Sequence, residues 1–252
     1  MPKFFVFSDV HSFYDELITA LTEAGYDKDN PDHWIISCGD NWDRGKKPVE
    51  VFHFLNLNPR AILVRGNHED LFDEVVEEGS WKGRDVSNGT KQTIEILGKE
   101  GKRKNAFPDA CAKADERTRI FRNKMLNYFE TEHFVFVHGW LPAGEDWRNA
   151  SDKEWAKARW LNGMESPRCE RKAIGKTVVF GHITSSYGHY WKKVRDGEIS
   201  IADVITKGRE YFEFGPGADF SPYYEKGIIA IDSCTIKSHK VNVLVIEDDF
   251  IK

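Results

Sequence analysis

The stretch FFVFSDVH at residues 4–11 decides the fold class, together with two later stretches, WIISCGDNWDRG at 34–45 and AILVRGNHE at 61–69. Each begins with an unbroken apolar run of strand length and ends in a group of polar residues. Such runs are typical of strands that are buried on both faces of a parallel sheet. The segments between them, 15–24 and 48–57, carry apolar residues at helical spacing. The pattern predicts a βαβαβ unit.

The rest of the chain predicts two insertions and a second sheet within a single domain spanning residues 1–252. Residues 79–131, which include the basic loop KEGKRK at 99–104, are interpreted as a helical insertion, and residues 185–225 as a loop or hairpin insertion. The helices predicted around the first insertion span 69–78, 88–97 and 115–129. Strand signals resume at 133–137, 177–180, 227–231 and 240–247, which predicts a second, more antiparallel sheet.

The composition argues against a membrane-spanning protein and against an extended nucleic-acid-binding surface. No apolar run approaches the roughly 20 residues that a membrane helix needs. The 36 basic and 41 acidic residues leave a net charge of −5, which is the wrong sign for a surface that follows a phosphate backbone. The N-terminus lacks the apolar core of a secretory signal, and the four cysteines are widely spaced. We therefore expect free thiols and a cytoplasmic protein.

Polar residues that can bind metals follow five of the predicted strands. In open α/β sheets ligands bind beyond the carboxyl ends of the strands, so these residues converge on one edge. A single Asp or Asn after a strand is usually a helix cap or a turn residue, but caps do not explain five such endings together. The residues are Asp9, His11, Asp40, Asn67, His138 and His182.

A pair of divalent metals would remove the repulsion between carboxylates buried at this edge. The donor set contains oxygen and nitrogen but no thiolate, which suits Mn, Fe or Zn. We expect two divalent metal ions about 3.5–4 Å apart, Mn²⁺ first with Fe or Zn as alternatives, and Asp40 as the bridging ligand. Such a site polarises phosphate oxygens and forms hydroxide from water near neutral pH.

Five motifs in order resemble the catalytic core of the metallophosphoesterases, and in particular its phosphoprotein phosphatase (Ser/Thr phosphatase) branch. Thr184 stands where related nucleases and cyclic phosphodiesterases commonly carry a second histidine, and Arg44 supplies an arginine that they tend to lack. The resemblance implies an α/β/β/α sandwich of two mixed sheets flanked by helices. The motifs are DVH at 9–11, GDNWDRG at 39–45, RGNHE at 65–69, HG at 138–139 and GH at 181–182.

The resemblance also implies a role for each residue of the site. Asp9, His11 and Asp40 would hold the first metal, and Asp40, Asn67, His138 and His182 the second, with a bridging hydroxide attacking phosphorus in line. His68, oriented by Asp43, would protonate the leaving group, as a carboxylate–histidine pair can. Arg44 and Arg159 would hold phosphate oxygens through their planar guanidinium groups.

Several alternatives stay open at this point. Arg159 is also consistent with a surface arginine beside buried Trp155 and Trp160, and Arg65 with a structural partner of nearby carboxylates. His189, Tyr223 and Tyr224 could reach the mouth of the site. The substrate could be a phosphoprotein or another small phosphorylated molecule, including a symmetrical dinucleoside polyphosphate. A metal-bound scaffold without activity and a nucleic-acid phosphodiesterase are further alternatives; the net charge and Thr184 argue against the latter.

Overall fold

The computed structural model describes residues 1–99 and 106–251, in which the strands form two sheets. The strands are β1 (Lys3–Phe7), β2 (His33–Ser37), β3 (Ala61–Leu63), β4 (Phe129–Glu130), β5 (Phe134–Phe136), β6 (Thr177–Phe180), β7 (Tyr223–Glu225), β8 (Ile228–Ala230) and β9 (Leu244–Glu247).

Helices connect these strands and cover both outer faces. They are α1 (Tyr14–Glu23), α2 (Pro48–Asn56), α3 (Asn67–Glu78), α4 (Gly83–Asn88), α5 (Thr90–Leu97), α6 (Phe107–Arg122), α7 (Asp152–Ala158), α8 (Arg168–Ile174), α9 (Ser185–Arg195), α10 (Ile201–Lys207), α11 (Arg209–Glu213) and α12 (Thr235–Ser238). Short 3₁₀ turns lie at Trp147–Asn149 and Gly163–Glu165. In the described part of the chain, no helix combines the length and apolar character that crossing a bilayer requires.

The first sheet has the order β3-β2-β1-β9 and confirms the predicted βαβαβ unit. Strands β1, β2 and β3 are parallel, with Phe5 opposite Ile35 and Ile35 opposite Ala61. Strand β9 pairs with β1 in the antiparallel direction, so the sheet is mixed. The parallel strands end at one edge, where the motifs DVH, GDNWDRG and RGNHE begin.

The second sheet has the order β4-β5-β6-β8-β7. Its central strands β5, β6 and β8 are parallel, and its two edge strands are antiparallel. The expected antiparallel character is therefore limited to the edges, and this sheet too is mixed. Strands β5 and β6 end two residues before His138 and His182, respectively.

Alternate residues of β1 pack on opposite sides of the first sheet, which explains its unbroken apolar run. Phe4 and Val6 join a buried cluster that contains Phe136 and Val179 of the second sheet. Phe5 and Phe7 instead contribute to a cluster formed with the helices outside the first sheet. A third cluster covers the outer face of the second sheet. These layers confirm the α/β fold class, with two mixed sheets flanked by helices.

The predicted helix at 115–129 is wrong at both ends. Helix α6 begins at Phe107, where Pro108 in the first turn is compatible with a helix start because that turn leaves its N–H groups unpaired. It ends at Arg122, and Phe129 belongs to β4, opposite Phe136 of β5. The other two predicted helices correspond to α3 and α5. Most of the basic loop at 99–104 lies outside the described residues.

The segment 185–225 is helical over most of its length, so the expectation of a loop or hairpin there is wrong. It contains α9, α10 and α11, and a strand, β7, only near its end. Ser200 and Asp203 form a reciprocal capping box at the start of α10, with Ser200 Oγ accepting from Asp203 N at 3.1 Å and Ser200 N donating to Asp203 Oδ2 at 3.0 Å. This serine–acid spacing is a helix-start signal that the sequence interpretation did not use.

Candidate metal centre

The six predicted metal ligands lie together beyond the carboxyl ends of the parallel strands. Several of them follow a strand with a left-handed backbone: φ is 53° at Asp9, 47° at His11, 54° at Asp40 and 65° at His182. Non-glycine residues rarely adopt this conformation, and it tends to cluster at functional sites, where the surrounding structure holds it. The sharp turns direct the side chains back across the sheet edge.

Backbone carbonyl groups orient the histidines. The Nδ1 of His11 lies 2.8 Å from the carbonyl oxygen of Trp42, and the Nδ1 of His138 lies 2.8 Å from that of Cys38. Since a carbonyl oxygen only accepts, each Nδ1 carries the proton and each Nε2 faces the site. This is the arrangement that metal-binding histidines adopt.

Asp40 lies at the centre of the group. Its Oδ2 is 3.8 Å from the Nε2 of His11 and 3.8 Å from that of His68, and its Oδ1 is 3.3 Å from the Nε2 of His138. Potential ligand atoms form two sets, His11–Asp40–His68 and Asp40–His138–His182. Within each set, all the ligand atoms lie within 4.8 Å of one another. Asp40 belongs to both, as a bridging ligand must.

Asp9 and Asn67 complete the group of predicted ligands. The Oδ1 of Asp9 is 3.8 Å from the Nε2 of His11, and its Oδ2 accepts hydrogen bonds from Ser8 Oγ at 2.6 Å and His182 N at 2.9 Å. The Oδ1 of Asn67 is 2.7 Å from the Nε2 of His138. The structure thus brings all six predicted ligands together.

The predicted Asp43–His68 pair is formed and buried. The Nδ1 of His68 donates to Asp43 Oδ2 at 2.7 Å, and its Nε2 lies 3.3 Å from the Nη2 of Arg44. Asp43 and His68 are buried, whereas Arg44 is exposed. The imidazole therefore presents Nε2 towards the open side of the group, beside the guanidinium of Arg44.

Arg159 lies near the site, but its guanidinium is engaged by other side chains. Its Nε donates to Asp70 Oδ2 at 2.7 Å, and its Nη1 donates to Asn127 Oδ1 at 2.8 Å. Arg65 donates to the same Asp70 through Nε at 2.6 Å, which favours the structural interpretation of Arg65. Binding of phosphate by Arg159 stays a prediction.

Trp160 is half-exposed, so the expectation that it is buried is wrong. Its relative exposure is 51%, and its ring lies 5.8 Å from the ring of His182 in an edge-on arrangement. His189 and Tyr223 contact each other, with ring centroids 5.3 Å apart, and their place at the mouth of the site stays a prediction. Tyr224 is exposed, with 60% of its surface accessible.

Comparison with known sequences agrees with this geometry. The sequence profile of the family described as calcineurin-like phosphoesterase matches residues 2–205, most of the chain. The chain belongs to this family. The expected family is thereby confirmed.

Two curated relatives match parts of the chain. A serine/threonine-protein phosphatase 2 of Salmonella typhimurium is 42% identical over 102 residues, which covers 36% of this chain and 45% of that protein. A bis(5'-nucleosyl)-tetraphosphatase PrpE [asymmetrical] of Bacillus velezensis is 38% identical over 72 residues, covering 25% of this chain and 29% of that protein. The chain therefore aligns with less than half the length of either relative. The first match supports the phosphoprotein phosphatase branch.

Among solved structures, a cold-active protein-tyrosine phosphatase from a psychrophilic Shewanella species superposes with a TM-score of 0.53. The superposition covers 98% of this chain and 76% of that one, at 16% identity. At this identity the likeness describes the shared calcineurin-like fold.

Burial and neighbouring charge set the protonation of the group. Although burial alone would raise the pKa of Asp40, His138 and His68 hold it well below its usual range. Burial, with His138 beside it, lowers the pKa of His182 to about 4, and burial also keeps the pKa of His11 well below its usual value. Both histidines are therefore neutral at pH 7, the form that binds metal.

His138 carries positive charge when no cation is bound beside it. Burial opposes its protonation, but Asp40 and Asp9 raise its pKa to about 10. By contrast, burial raises the pKa of Asp9. Asp40 adds to this effect on the pKa of Asp9, so the two carboxylates oppose each other's charge, and divalent cations would relieve that repulsion.

A further observation shows that the residues fit metal ions of the kind this family uses. The Nε2 of His11 is buried and has no hydrogen-bond partner among residues 1–99 and 106–251. It faces the carboxylates of Asp9 and Asp40. An unpartnered buried nitrogen opposite two carboxylates is costly without a cation and favourable with one.

Two buried acids of the site were not assigned from the sequence. Glu69 accepts hydrogen bonds from the backbone N–H of Asp40 at 3.0 Å, Asn41 at 2.9 Å and Gly66 at 2.8 Å, and so ties the second motif to the third. Asp232 lies two residues after β8 and is buried near Asp9. Burial raises the pKa of Asp232 well above its usual value. The sequence contained a pattern that could have identified both acids, since Glu69 belongs to the motif RGNHE and Asp232 follows an apolar run.

Proposed function

We propose that this protein is a dinuclear-metal-dependent phosphomonoesterase of the serine/threonine protein phosphatase type. The observation that carries the proposal is the buried Asp43–His68 pair at two sets of potential metal ligands that share Asp40, one of which includes His68 itself. We assign His68 to proton transfer because its Nδ1 is held by Asp43 and its Nε2 lies 3.3 Å from Arg44 Nη2. A metal site alone binds ions, whereas a metal site with an oriented acid–base group supports hydrolysis.

The residues of the site divide between two metal positions. Asp9, His11 and Asp40 would hold one ion, and Asp40, Asn67, His138 and His182 the other. Such ions would supply Lewis acidity towards phosphate oxygens and would lower the pKa of water at the site, so that hydroxide is available near neutral pH to attack phosphorus. We propose Mn²⁺ as the resident metal, with Fe or Zn as the alternatives, because the donors are oxygen and nitrogen.

The chain's own side chains supply the remaining functions. Arg44, exposed beside His68, is placed to hold two oxygens of a phosphate group through its planar fork. His68 would donate the proton at Nε2 to the leaving oxygen, while Asp43 at Nδ1 stabilises the charged ring. Asp40 and Asp43 raise the pKa of His68 although burial opposes this, so the ring can hold that proton near neutral pH.

A dinucleoside polyphosphate hydrolase is the second candidate function. The match to the tetraphosphatase of Bacillus velezensis favours it, because both proteins share part of the same core. The longer and more identical match to the Salmonella phosphatase favours the first candidate. The distinction depends on loops around the site, which the shared core does not determine.

The test compares both substrates on the same preparation. The protein is stripped with a chelator, reloaded with Mn²⁺, and assayed with a phosphoserine peptide and a dinucleoside tetraphosphate at equal concentrations. We expect a higher kcat/KM for the phosphopeptide. A reversed preference would favour the second function, and no turnover of either substrate or of p-nitrophenyl phosphate would favour a scaffold without activity.

We also propose a reducing, cytoplasmic location. All four cysteines are free, and Cys38 and Cys111 are buried among apolar residues. Unpaired cysteines are typical of reducing compartments.

A further inference from the structure

Asp43 and Arg44 are two consecutive non-glycine residues with a left-handed backbone, with φ of 75° and 55°. Non-glycine residues rarely adopt this conformation, so it persists only where the surroundings hold it. These are also the residues that orient His68 and face the phosphate position. Whatever holds them therefore acts on the proposed chemistry.

The junction between α4 and α5 makes contacts that hold this dipeptide. We call the residues Gly89, Thr90 and Thr93 the NGT brace, after the sequence around them. Gly89 has φ of 93°, and a Cβ there would overlap the backbone nitrogen of Arg44. The backbone N–H of Asp43 donates to the Oγ1 of Thr93 at 3.1 Å. Only glycine permits this approach, and the threonine hydroxyl fixes the strained turn.

The most specific contact of the NGT brace is a hydrogen bond to the Asp43 carboxylate. The Oγ1 of Thr90 donates to Asp43 Oδ2 at 2.6 Å, and both residues are 0% exposed. The same oxygen accepts the Nδ1–H of His68 at 2.7 Å. The other oxygen, Oδ1, is buried and has no hydrogen-bond partner in the described part of the chain.

Two donors on one oxygen determine how the carboxylate is turned. With His68 as its only partner, the carboxylate of Asp43 could rotate about its terminal bond and offer either oxygen, because that torsion is soft. The Thr90 hydroxyl removes this freedom. It makes no capping bond to α5, whose N-cap is Gly89, so the helix itself does not require a hydroxyl at this position.

We infer that Thr90 is a positioning residue for the Asp43–His68 pair, an inference that rests on the proposed function. It acts through Asp43 and does not touch the substrate. The distance in sequence between Thr90 and Asp43, 47 residues, means that the helical segment around α4 and α5 takes part in the chemistry of the site.

The test replaces Thr90 by valine, which keeps its shape and removes the hydroxyl, and by serine, which keeps the hydroxyl. Thr118→Val is the matched control, since Thr118 is an equally buried threonine on α6 outside the site. Each variant is loaded with Mn²⁺ and assayed with p-nitrophenyl phosphate and with a phosphoserine peptide. The p-nitrophenolate leaving group needs little protonation, whereas the serine alkoxide that leaves the phosphopeptide needs a general acid.

We expect Thr90→Val to lower kcat for the phosphopeptide about 10- to 100-fold and kcat for p-nitrophenyl phosphate by less than about threefold, with KM unchanged, because only proton transfer is impaired. Thr90→Ser should restore the phosphopeptide rate, and Thr118→Val should match the wild type. Equal losses on both substrates, or no loss, would overturn the inference. A wild type inactive on both substrates would instead contradict the proposed function.

A readout without turnover tests the same inference independently. In protein loaded with diamagnetic Zn²⁺, the Nδ1–H of His68, hydrogen-bonded to a buried carboxylate, should give a downfield proton NMR signal that is absent from His68→Asn. We expect this signal in the wild type, Thr118→Val and Thr90→Ser, and its shift or loss in Thr90→Val. An unchanged signal in Thr90→Val, or no such signal in the wild type, would contradict the role of Thr90.

Discussion

At the scale of single residues, Asp40 and His68 should separate metal binding from proton transfer. Asp40 faces three histidines through two oxygens, whereas His68 contacts Asp43 and Arg44. Replacing Asp40 by asparagine removes the charge shared by both metal positions. Replacing His68 by asparagine leaves the six predicted ligands in place.

We therefore expect Asp40→Asn to lose bound metal and most activity, by about 100-fold or more, and His68→Asn to keep its metal and lose activity on poor leaving groups. Metal content is measured by plasma mass spectrometry on the purified variants. Asp248→Asn, a buried aspartate hydrogen-bonded to His133 outside the predicted ligand group, is the control. Wild-type metal content and rate in Asp40→Asn would refute its assignment as a ligand.

Arg159 should contribute to the stability of the folded protein. Its buried guanidinium pairs with Asp70 and Asn127, so Arg159→Ala leaves these polar groups without their partner. We expect a loss of about 2 kcal/mol in the free energy of unfolding, measured with urea. Lys28→Ala, which breaks an exposed pair with Asp29, should cost clearly less. A rise in the inhibition constant of inorganic phosphate would show that Arg159 also binds phosphate.

At the scale of elements, the errors and successes of the sequence interpretation have one cause. Strands β1, β2 and β3 were predicted because their apolar runs are long and unbroken. Helices α10 and α11 were missed because they are only seven and five residues long, too short for a periodic pattern to stand out, although Ile201 and Ile205 lie at helical spacing. In so short a helix a capping signal such as Ser200 and Asp203 is the clearer indication.

The hydrogen bonds between the segments that follow β9 and precede β5 should make the stability of the protein depend on pH in the acid range. Asp248, just after β9, accepts hydrogen bonds from the backbone N–H of His133 at 2.9 Å and from its Nδ1 at 2.8 Å, just before β5. It thereby ties the two sheets together. Burial would raise the pKa of Asp248, but these hydrogen bonds lower it to about 2.

Because the folded pKa lies below the unfolded value of about 3.9, this bond contributes stability above pH 4 that is lost as the pH falls towards 2. We expect Asp248→Asn to cost about 1–2 kcal/mol at pH 6 and clearly less at pH 3, in urea unfolding. Asp249→Asn, at the exposed neighbouring position, is the control. An equal cost of Asp248→Asn at both pH values would contradict this explanation.

At the scale of the whole molecule, metal binding should couple to folding. The predicted ligands extend from Asp9 to His182, and they meet only when both sheets are packed. An ion at about 100 times its Kd stabilises the folded state by about 2.7 kcal/mol. For a chain of this size we expect removal of metal to lower Tm by roughly 5–10 °C.

The measurement compares thermal unfolding before and after chelation and after Mn²⁺ is restored. Asp40→Asn should show a smaller response to chelation than the wild type. An unchanged Tm in the wild type would mean that metal contributes nothing to the folded state.

The sequence by itself determined the fold class and placed the six proposed metal ligands at one edge of the sheets. Local patterns suffice for these, because unbroken apolar runs mark buried strands and parallel strands deliver their final residues to one edge. The resemblance of the motifs to a known family added the proposed roles, including the Asp43–His68 pair. The comparison with known sequences then confirmed the family.

Only the tertiary structure decided which partners the functional side chains have. Asp70 forms a salt bridge with Arg159, and the exposed Trp160 lies beside His182. Thr90 donates a hydrogen bond to Asp43, which is 47 residues away in the sequence. None of these contacts follows from hydrophobic periodicity, because each joins residues on different elements whose meeting depends on how the helices pack. The sequence therefore specified which groups are proposed to do the chemistry, and packing specified how they are held.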